Sequence, residues 1–364
     1  MADIALAGAL TFAGTNASKY LLEPMFHSDD IMRNYTIYPN VKFKQFITMA
    51  PSLKSITAQN SGCDTTNACD PAGFTMEQKA IEVKQVSVKQ TQCWNEFQNL
   101  YIAESYKAGL SMPDLTGTQI AEVILDRVRK GIQYDTVRNM WAGDPLAAVA
   151  DCSYQSMGDG LWQLLSVGTA INSATQMREV TGSLGAAAAE YVTVGATLPA
   201  ADAVLVLEDV WNTAPAELQQ TPASDKRLFC TPNIYNAWYS ALTQVASAGS
   251  VDYGHSESQS GKQRLYFRGV ELVPVYEWDT ALTALTGADV PPLFTAAGAA
   301  IQCANGVIYA AKDNLIIGTN VADPDNQLKM FYDEASDNMY VRSNFTMGFQ
   351  YGWDSLVNGS MLVD

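Results

Sequence analysis

The sequence predicts an α+β chain, and three stretches carry that prediction. Residues 116–141 repeat apolar positions at helical spacing, residues 341–353 alternate apolar and polar side chains, and residues 227–242 pass from a strand through a capped turn into a helix. Strand, cap and helix in quick succession, followed by a closing hairpin, mark a mixed fold with more than one layer.

The helix at 116–141 is the element the rest is arranged around. Thr116 and Gln119 have the spacing of a capping box. Ile120, Val123, Ile124, Leu125, Val128 and Ile132 fall on one broad arc, with Glu122, Asp126 and Arg129 opposite. Beyond Gly131, the apolar residues Tyr134, Val137, Met140 and Trp141 rotate onto a different arc. The expectation is a rod of roughly 39 Å with two burial faces, at 1.5 Å per residue. The plainer alternative is two short helices broken at the glycine.

Before this helix, residues 6–18 are rich in Ala, Gly and Thr, and are expected to be held by another part of the chain or by another copy. Residues 35–46 read as a strand with Ile37, Val41 and Phe43. A polar, turn-forming tip follows at 58–73. Ile81, Val83, Val86 and Val88 then alternate with polar residues, with a parity slip at Gln85 that a β-bulge would cause. Together these make a long two-stranded excursion, which is marginal in water alone and should lie on something, a neighbouring subunit first of all. Trp94, Phe97 and Tyr101 suggest a short return helix over 94–107.

After the rod, Gly158 and Gly160 precede a helix with Leu161, Trp162, Leu164 and Leu165. The Ala/Gly-rich segment 182–201 reads as a connection, and a helix resumes over 201–211. Residues 227–231 form a buried strand, and Thr231-Pro232 is an N-cap with proline at the first helical position, opening a helix through Leu242. Strands are expected around 265–267, 270–276, 307–311 and 315–317, with loops at 249–262 and 277–293. The last hairpin joins 328–332 to 341–353, its odd positions Val341, Phe345, Met347, Phe349, Tyr351 and Trp353 facing a core whose natural cover is the long helix.

The chain has 364 residues, 48% hydrophobic and 16% charged, enough for two or three core-bearing units. With 22 basic and 38 acidic residues its net charge is −16, which argues against nonspecific adhesion to nucleic acid or anionic membrane. Residues 1–140 hold 13 Lys and Arg against 14 Asp and Glu, while 141–364 hold 9 against 24, so the acidity belongs to the later part. No leading basic segment or apolar run of about 18 residues indicates targeting or a membrane span. Six cysteines without a C-x-x-C indicate reduced folding and no zinc cage, and only Cys63 and Cys69 are near enough for a local bridge.

A catalytic site does not emerge, and neither a cofactor nor a metal is expected. Two histidines, His27 and His255, exclude any histidine-cluster chemistry, and His255 has no nucleophile elbow beside it. Glu208 and Asp209 are adjacent on a helix, where their side chains diverge. Asp323-Pro324-Asp325 lacks the glycine and terminal Glu of a calcium loop. Arg127, Lys130 and Arg138 share one arc of the long helix, either as a solvated face with local salt bridges or to meet an acidic surface on a neighbouring subunit.

In order, the arm, the β-excursion, the long helix, the α+β lobe and the closing hairpin resemble the major capsid protein of tailed bacteriophages, the Hong Kong 97-like fold. Phe267-Arg268-Gly269-Val270-Glu271-Leu272-Val273-Pro274, Asp313-Asn314-Leu315-Ile316-Ile317-Gly318-Thr319 and Gly348-Phe349-Gln350-Tyr351-Gly352-Trp353 look like its closing portion. The resemblance implies an N-terminal arm (1–34), an extended loop (35–92), a peripheral domain with the spine helix (93–150), an axial domain (151–305) and a return to the peripheral domain (306–364). It also implies hexamers and pentamers closing an icosahedral head around double-stranded DNA, with portal, scaffold or decoration proteins as further partners, no membrane, and assembly in the host bacterial cytoplasm. Lys42, Lys44, Lys84 and Lys89 on the excursion and Arg127, Lys130 and Arg138 on the helix become candidate assembly contacts. Some relatives join a loop lysine to an asparagine, but nothing in this sequence identifies a partner for such a bond. An encapsulin-type compartment shell shares the resemblance, and a secreted hydrolase or carbohydrate-binding module is the alternative from another class.

Overall fold

The computed structural model describes residues 10–13, 34–49, 76–93, 119–143, 158–167, 177–181, 198–246, 255–257, 263–278, 295–296, 299–300, 305–320, 327–333 and 338–363. Among the described residues, a six-stranded and a seven-stranded sheet share one apolar core, and the second sheet has a further core on its other side. The polar tip at 58–73, Cys63, Cys69, the return helix at 94–107, the cap residue Thr116 and the connection at 182–197 lie outside the described residues.

The first sheet is built on β16 (Asn338–Tyr351), the strand expected from the alternation after Val341. It pairs antiparallel with β15 (Gln327–Asp333), β14 (Leu315–Thr319) and β5 (Lys84–Cys93). β14 is flanked in parallel by β2 (Thr36–Tyr38), and β15 is flanked by β1 (Leu10–Ala13). The amino-terminal arm is therefore held, at Leu10–Ala13, by its own chain. Val341, Phe345, Met347, Phe349 and Tyr351 are buried as their period of 2 requires.

The 24-residue helix α1 (Gln119–Ala142) contributes to that same core. It runs unbroken through Gly131, so the two-helix alternative is excluded. Beyond the glycine, Val137, Met140 and Trp141 of the expected second arc reach the core, Val137 half-buried. One stripe continues from Leu125, Val128 and Ile132 into Thr136, Asn139 and Met140, and only the final turn, through Trp141 and Ala142, is buried all round. Tyr134, expected in the core, is 42% exposed, with the Arg138 guanidinium 5.2 Å from its ring centroid. Small polar side chains took the inward positions, and the hydrophobic pattern could not show that.

The excursion also differs from its expectation. The strand expected over 35–46 is divided by a turn into β2 and β3 (Lys44–Met49), and β3 pairs with β4 (Glu77–Glu82) as a two-stranded ribbon. The burial alternation slips where expected, with Val83 half-buried, Lys84 and Gln85 both exposed and Val86 buried, but its cause is a change of pairing partner and not a bulge. At Val83 the chain leaves the ribbon and enters the six-stranded sheet as β5, so Ile81 and Val86 are both buried although their parities differ. The inner part of the excursion is thus a full sheet member.

The second sheet runs in the order β6-β17-β13-β7-β10-β9-β8. Its members are β6 (Met177–Thr181), β7 (Lys226–Cys230), β8 (His255–Glu257), β9 (Gln263–Phe267), β10 (Val270–Pro274), β13 (Gly306–Ala311) and β17 (Val357–Val363). Residues 306–363 therefore contribute strands to both sheets, and β17 was not anticipated. Two short strands, β11 (Thr295–Ala296) and β12 (Ala299–Ala300), form a separate hairpin. β9 and β10 are joined by Arg268-Gly269, at φ 49° and 83°, the left-handed pair that matches hairpin twist.

One face of this sheet, with Leu228, Cys230, Val307 and Tyr309, packs on α3 (Ala200–Asn212) and α5 (Pro232–Ala246). A short α4 (Ala216–Gln220) adds Leu218. Phe229, Ile308 and Ala310 point the other way, into the core shared with the first sheet. There Trp278 meets Trp141 at 4.9 Å and Trp162, on α2 (Leu161–Val167), at 4.8 Å, both edge-on. Trp141 is also 5.2 Å from Phe229. Large aromatic rings bury much area per residue and favour such tilted contacts, and here they join helix α1 to the second sheet. Thr231 precedes α5 as expected, but its hydroxyl donates to Asn305 Oδ1 at 3.4 Å while its carbonyl accepts from the Tyr235 amide.

Candidate functional site

The ribbon extends apolar side chains away from the core. Phe43 is 83% exposed, Phe46 59% and Met76 60%. Exposed apolar groups gathered on one projecting element are the mark of a contact surface. A free ribbon edge would also be a hazard for uncontrolled pairing. Cross-strand pairs hold the ribbon together: Lys44 Nζ donates to Glu82 at 2.6 Å, and Gln78 Nε2 donates to Thr48 Oγ1 at 3.4 Å. The Lys44 hydrogen bond and charge, helped by the more distant Lys84, hold the Glu82 carboxyl below its ordinary value.

The base of the ribbon is seated closely on the sheet. The Val83 amide donates to Phe43 O at 2.8 Å, the Val41 amide to Thr319 O at 3.1 Å, and Gln350 Nε2 to Ala80 O at 3.1 Å. A Cβ at Gly348 would lie 2.1 Å from the Glu82 carbonyl oxygen, so the crossing requires glycine there. Lys79 makes an ion pair with Asp354 and sits over the Tyr351 ring, 3.8 Å from its centroid. Burial first, and then the neighbouring Asp354 charge and hydrogen bond, push the Tyr351 phenol well above its ordinary value. No local sequence signal marks this cluster, because its members come from β4, from β16 and from the turn after β16.

The seven candidate contacts separate into distinct places. Lys42 is exposed in the turn before β3, and Lys44 and Lys84 lie near Glu82. Lys89 is exposed farther along β5, opposite Arg342. On α1, Lys130 pairs with Asp126 at 2.7 Å and Arg129 joins the same carboxylate at 2.7 Å, while Arg138 is 3.9 Å from Asp135. The Lys130 hydrogen bond, aided by Arg129, keeps the Asp126 carboxyl below its ordinary value. Two of the three helix cations therefore have partners within their own helix, Lys130 as part of a solvated face and Arg138 with its side chain only 19% exposed. Arg127 is exposed.

The second sheet carries a charge cluster that sequence reading missed. The Glu271 carboxylate lies 3.7 Å from both Arg227 and Arg264, with Arg227 and Glu271 buried. Lys226 donates to Gln219 O at 3.0 Å beneath the Trp211 and Tyr309 rings, and burial lowers its ammonium from the ordinary value. Cys230 is a buried free thiol raised by desolvation. Among the described residues, no three His, Cys, Asp or Glu side chains converge as metal ligands would, and no helix is long and apolar enough to cross a membrane. Glu208 and Asp209 diverge as expected: Glu208 faces Arg268 at 3.7 Å, and Asp209 accepts from Ser360 Oγ at 2.6 Å.

No family model matches the chain, and no curated protein matches it. Solved structures do. A chain of the satellite phage P4 procapsid that includes the size determination protein aligns over 95% of this chain and 100% of its own length, with TM-score 0.54 and 12% identity. A chain of the mature capsid of bacteriophage PhiM1 aligns over 91% of this chain and 86% of its own, with TM-score 0.48 and 11% identity. A chain of the holo encapsulin complex of Synechococcus elongatus aligns over 92% and 88%, again with TM-score 0.48 and 11% identity. The first of these establishes that the chain has the fold found in a phage procapsid.

Proposed function

We propose that this chain is the major capsid protein of a tailed bacteriophage, with the Hong Kong 97-like arrangement of arm, extended loop, spine helix, peripheral domain and axial domain. Copies gather as hexamers and pentamers into an icosahedral head that encloses double-stranded DNA without reading its sequence. The observation that carries this reading is the procapsid fold across 95% of the chain. The ribbon supports it, since Phe43, Phe46 and Met76 are left exposed by the described residues.

The protein then acts by assembly and not by catalysis. Individually weak contacts, repeated over a closed shell, give a durable particle. The acidic later part, with 24 Asp and Glu against 9 Lys and Arg, partly lines the lumen and keeps packaged DNA from adhering. The test is expression of the full chain, followed by size-exclusion chromatography and negative-stain microscopy. Closed particles are expected; a small, non-associating species at all concentrations and salts overturns the assignment.

A further inference from the structure

The sheet built on β16 has a second face that α1 does not use. The odd positions of β16 enter the core, so Tyr340, Arg342 and Asn344 face the other way. At the β14 end this outer face is covered by the ribbon base, where Val41, Ile81 and Val83 approach Gly318. At the hairpin end it has no such cover among the described residues. There Lys329, Arg342 and Lys89 stand directly opposite one another on β15, β16 and β5. Strand spacing makes this a cationic row roughly 10 Å long.

Arg342 and Lys89 are exposed and Lys329 is half-buried. Beside the row, Phe331 and Tyr340 stack at 5.3 Å, with the Arg342 guanidinium 5.5 Å and 5.9 Å from their ring centroids. Like charges directly opposite each other weaken a sheet, so the arrangement costs stability that folding alone does not require. None of the three cations makes an ion pair among the described residues. Asp333 shares this face of β15 but lies about 13 Å along the strand, at the far end of the hairpin.

Arginine beside stacked aromatics is the composition of an interface centre. Every further copy of this chain presents net charge −16, which complements the row, whereas the same charge opposes approach to nucleic acid. We propose that Lys329, Arg342 and Lys89, with Phe331 and Tyr340, form a docking surface for an acidic patch on a second copy of this chain. The proposal rests on the shell-forming reading and adds which surface and which chemistry join two copies.

The test uses the full-length chain and Lys89→Glu with Arg342→Glu, alone and together, with Lys89→Gln/Arg342→Gln as the milder pair and circular dichroism to verify folding. Association is followed by sedimentation velocity across salt concentration. Wild-type association is expected to weaken about tenfold between 50 and 500 mM NaCl, and the double Glu variant to associate weakly with little remaining salt dependence. Particles from folded variants that match wild type in yield and salt response overturn this proposal while leaving the shell reading intact. Failure of the wild type to associate at all overturns both. Anisotropy with a 30-base-pair duplex separates the other occupant: wild-type binding that the double variant loses, with association unchanged, reassigns the row to nucleic acid and overturns the proposal.

Discussion

Lys79 and Asp354 are 275 residues apart in sequence and are joined by an ion pair that ties the ribbon to the end of the first sheet. Tyr351 lies beneath the same ammonium. Among the described residues, this pair and the Gln350 Nε2 hydrogen bond to Ala80 O are side-chain attachments of the ribbon to the body, and together they help set the angle at which Phe43 and Phe46 are presented.

Lys79→Met is expected to leave the body folded, with a loss of about 1 kcal/mol, because both partners are partly exposed and screened. The effect should be local. Hydrogen exchange is expected to quicken at the β3 and β4 amides and to stay unchanged in α3 and β7; uniform protection across the ribbon would show that the pair does not hold it.

Gly348→Ala should be worse than Gly318→Ala. At Gly348 the added methyl meets the Glu82 carbonyl at 2.1 Å, which is backbone and must move, whereas at Gly318 it meets an Ile81 methyl at 2.8 Å, which can rotate away. Overpacking of this kind costs about 1–3 kcal/mol, so Gly348→Ala is expected near the upper end and Gly318→Ala near the lower. Urea unfolding of both variants measures the order.

Trp278→Ala should remove the edge-on contacts with Trp141 and Trp162, leaving Trp141 against Phe229 of the second sheet. Aromatic truncations of this kind cost about 3–5 kcal/mol. The unfolding midpoint is expected to fall accordingly, with Trp278→Phe intermediate; equal midpoints for wild type and Trp278→Ala would remove Trp278 from any role in joining the two sheets.

Phe43→Ser with Phe46→Ser should do the reverse. Both side chains are exposed, so the isolated subunit is expected to change by no more than about 0.5 kcal/mol, while particle yield falls. Light scattering at matched protein concentration reads the second effect.

Stability should fall in alkaline solution. Burial raises the Tyr309 phenol to about 12, and burial with Asp354 raises the Tyr351 phenol as well, while phenols of the unfolded chain ionise near 10. The folded state therefore keeps protons that the unfolded state releases above that value. Its stabilisation is complete below about pH 10 and is lost as pH rises through the folded values. Denaturant titrations at pH 8 and pH 11 are expected to show the lower midpoint at pH 11.

The local elements were legible in the sequence. The alternation from Val341 to Tyr351, the buried strand before Pro232, the strands around 265–267 and 270–276 and the long helix are written in side-chain periodicity, because burial on one face imposes a period of 2 or 3.6 on a short stretch. Where polar residues fill inward positions, as at Thr136 and Asn139, hydrophobic periodicity carries no sign of their burial. The candidate lysines were legible as charges but not as contacts.

What the sequence determined by itself is therefore where the long helix, the strand-cap-helix unit and the closing alternation lie, and that the chain carries an unusually acidic second part. Only the tertiary structure decided that the excursion changes partner at Val83, that β17 joins the second sheet, that Lys79 meets Asp354, and that Lys329, Arg342 and Lys89 share a row. The reason is one of range: periodicity records what each residue needs of its neighbours along the chain, while pairing across a sheet is settled by register between segments that the sequence keeps hundreds of residues apart.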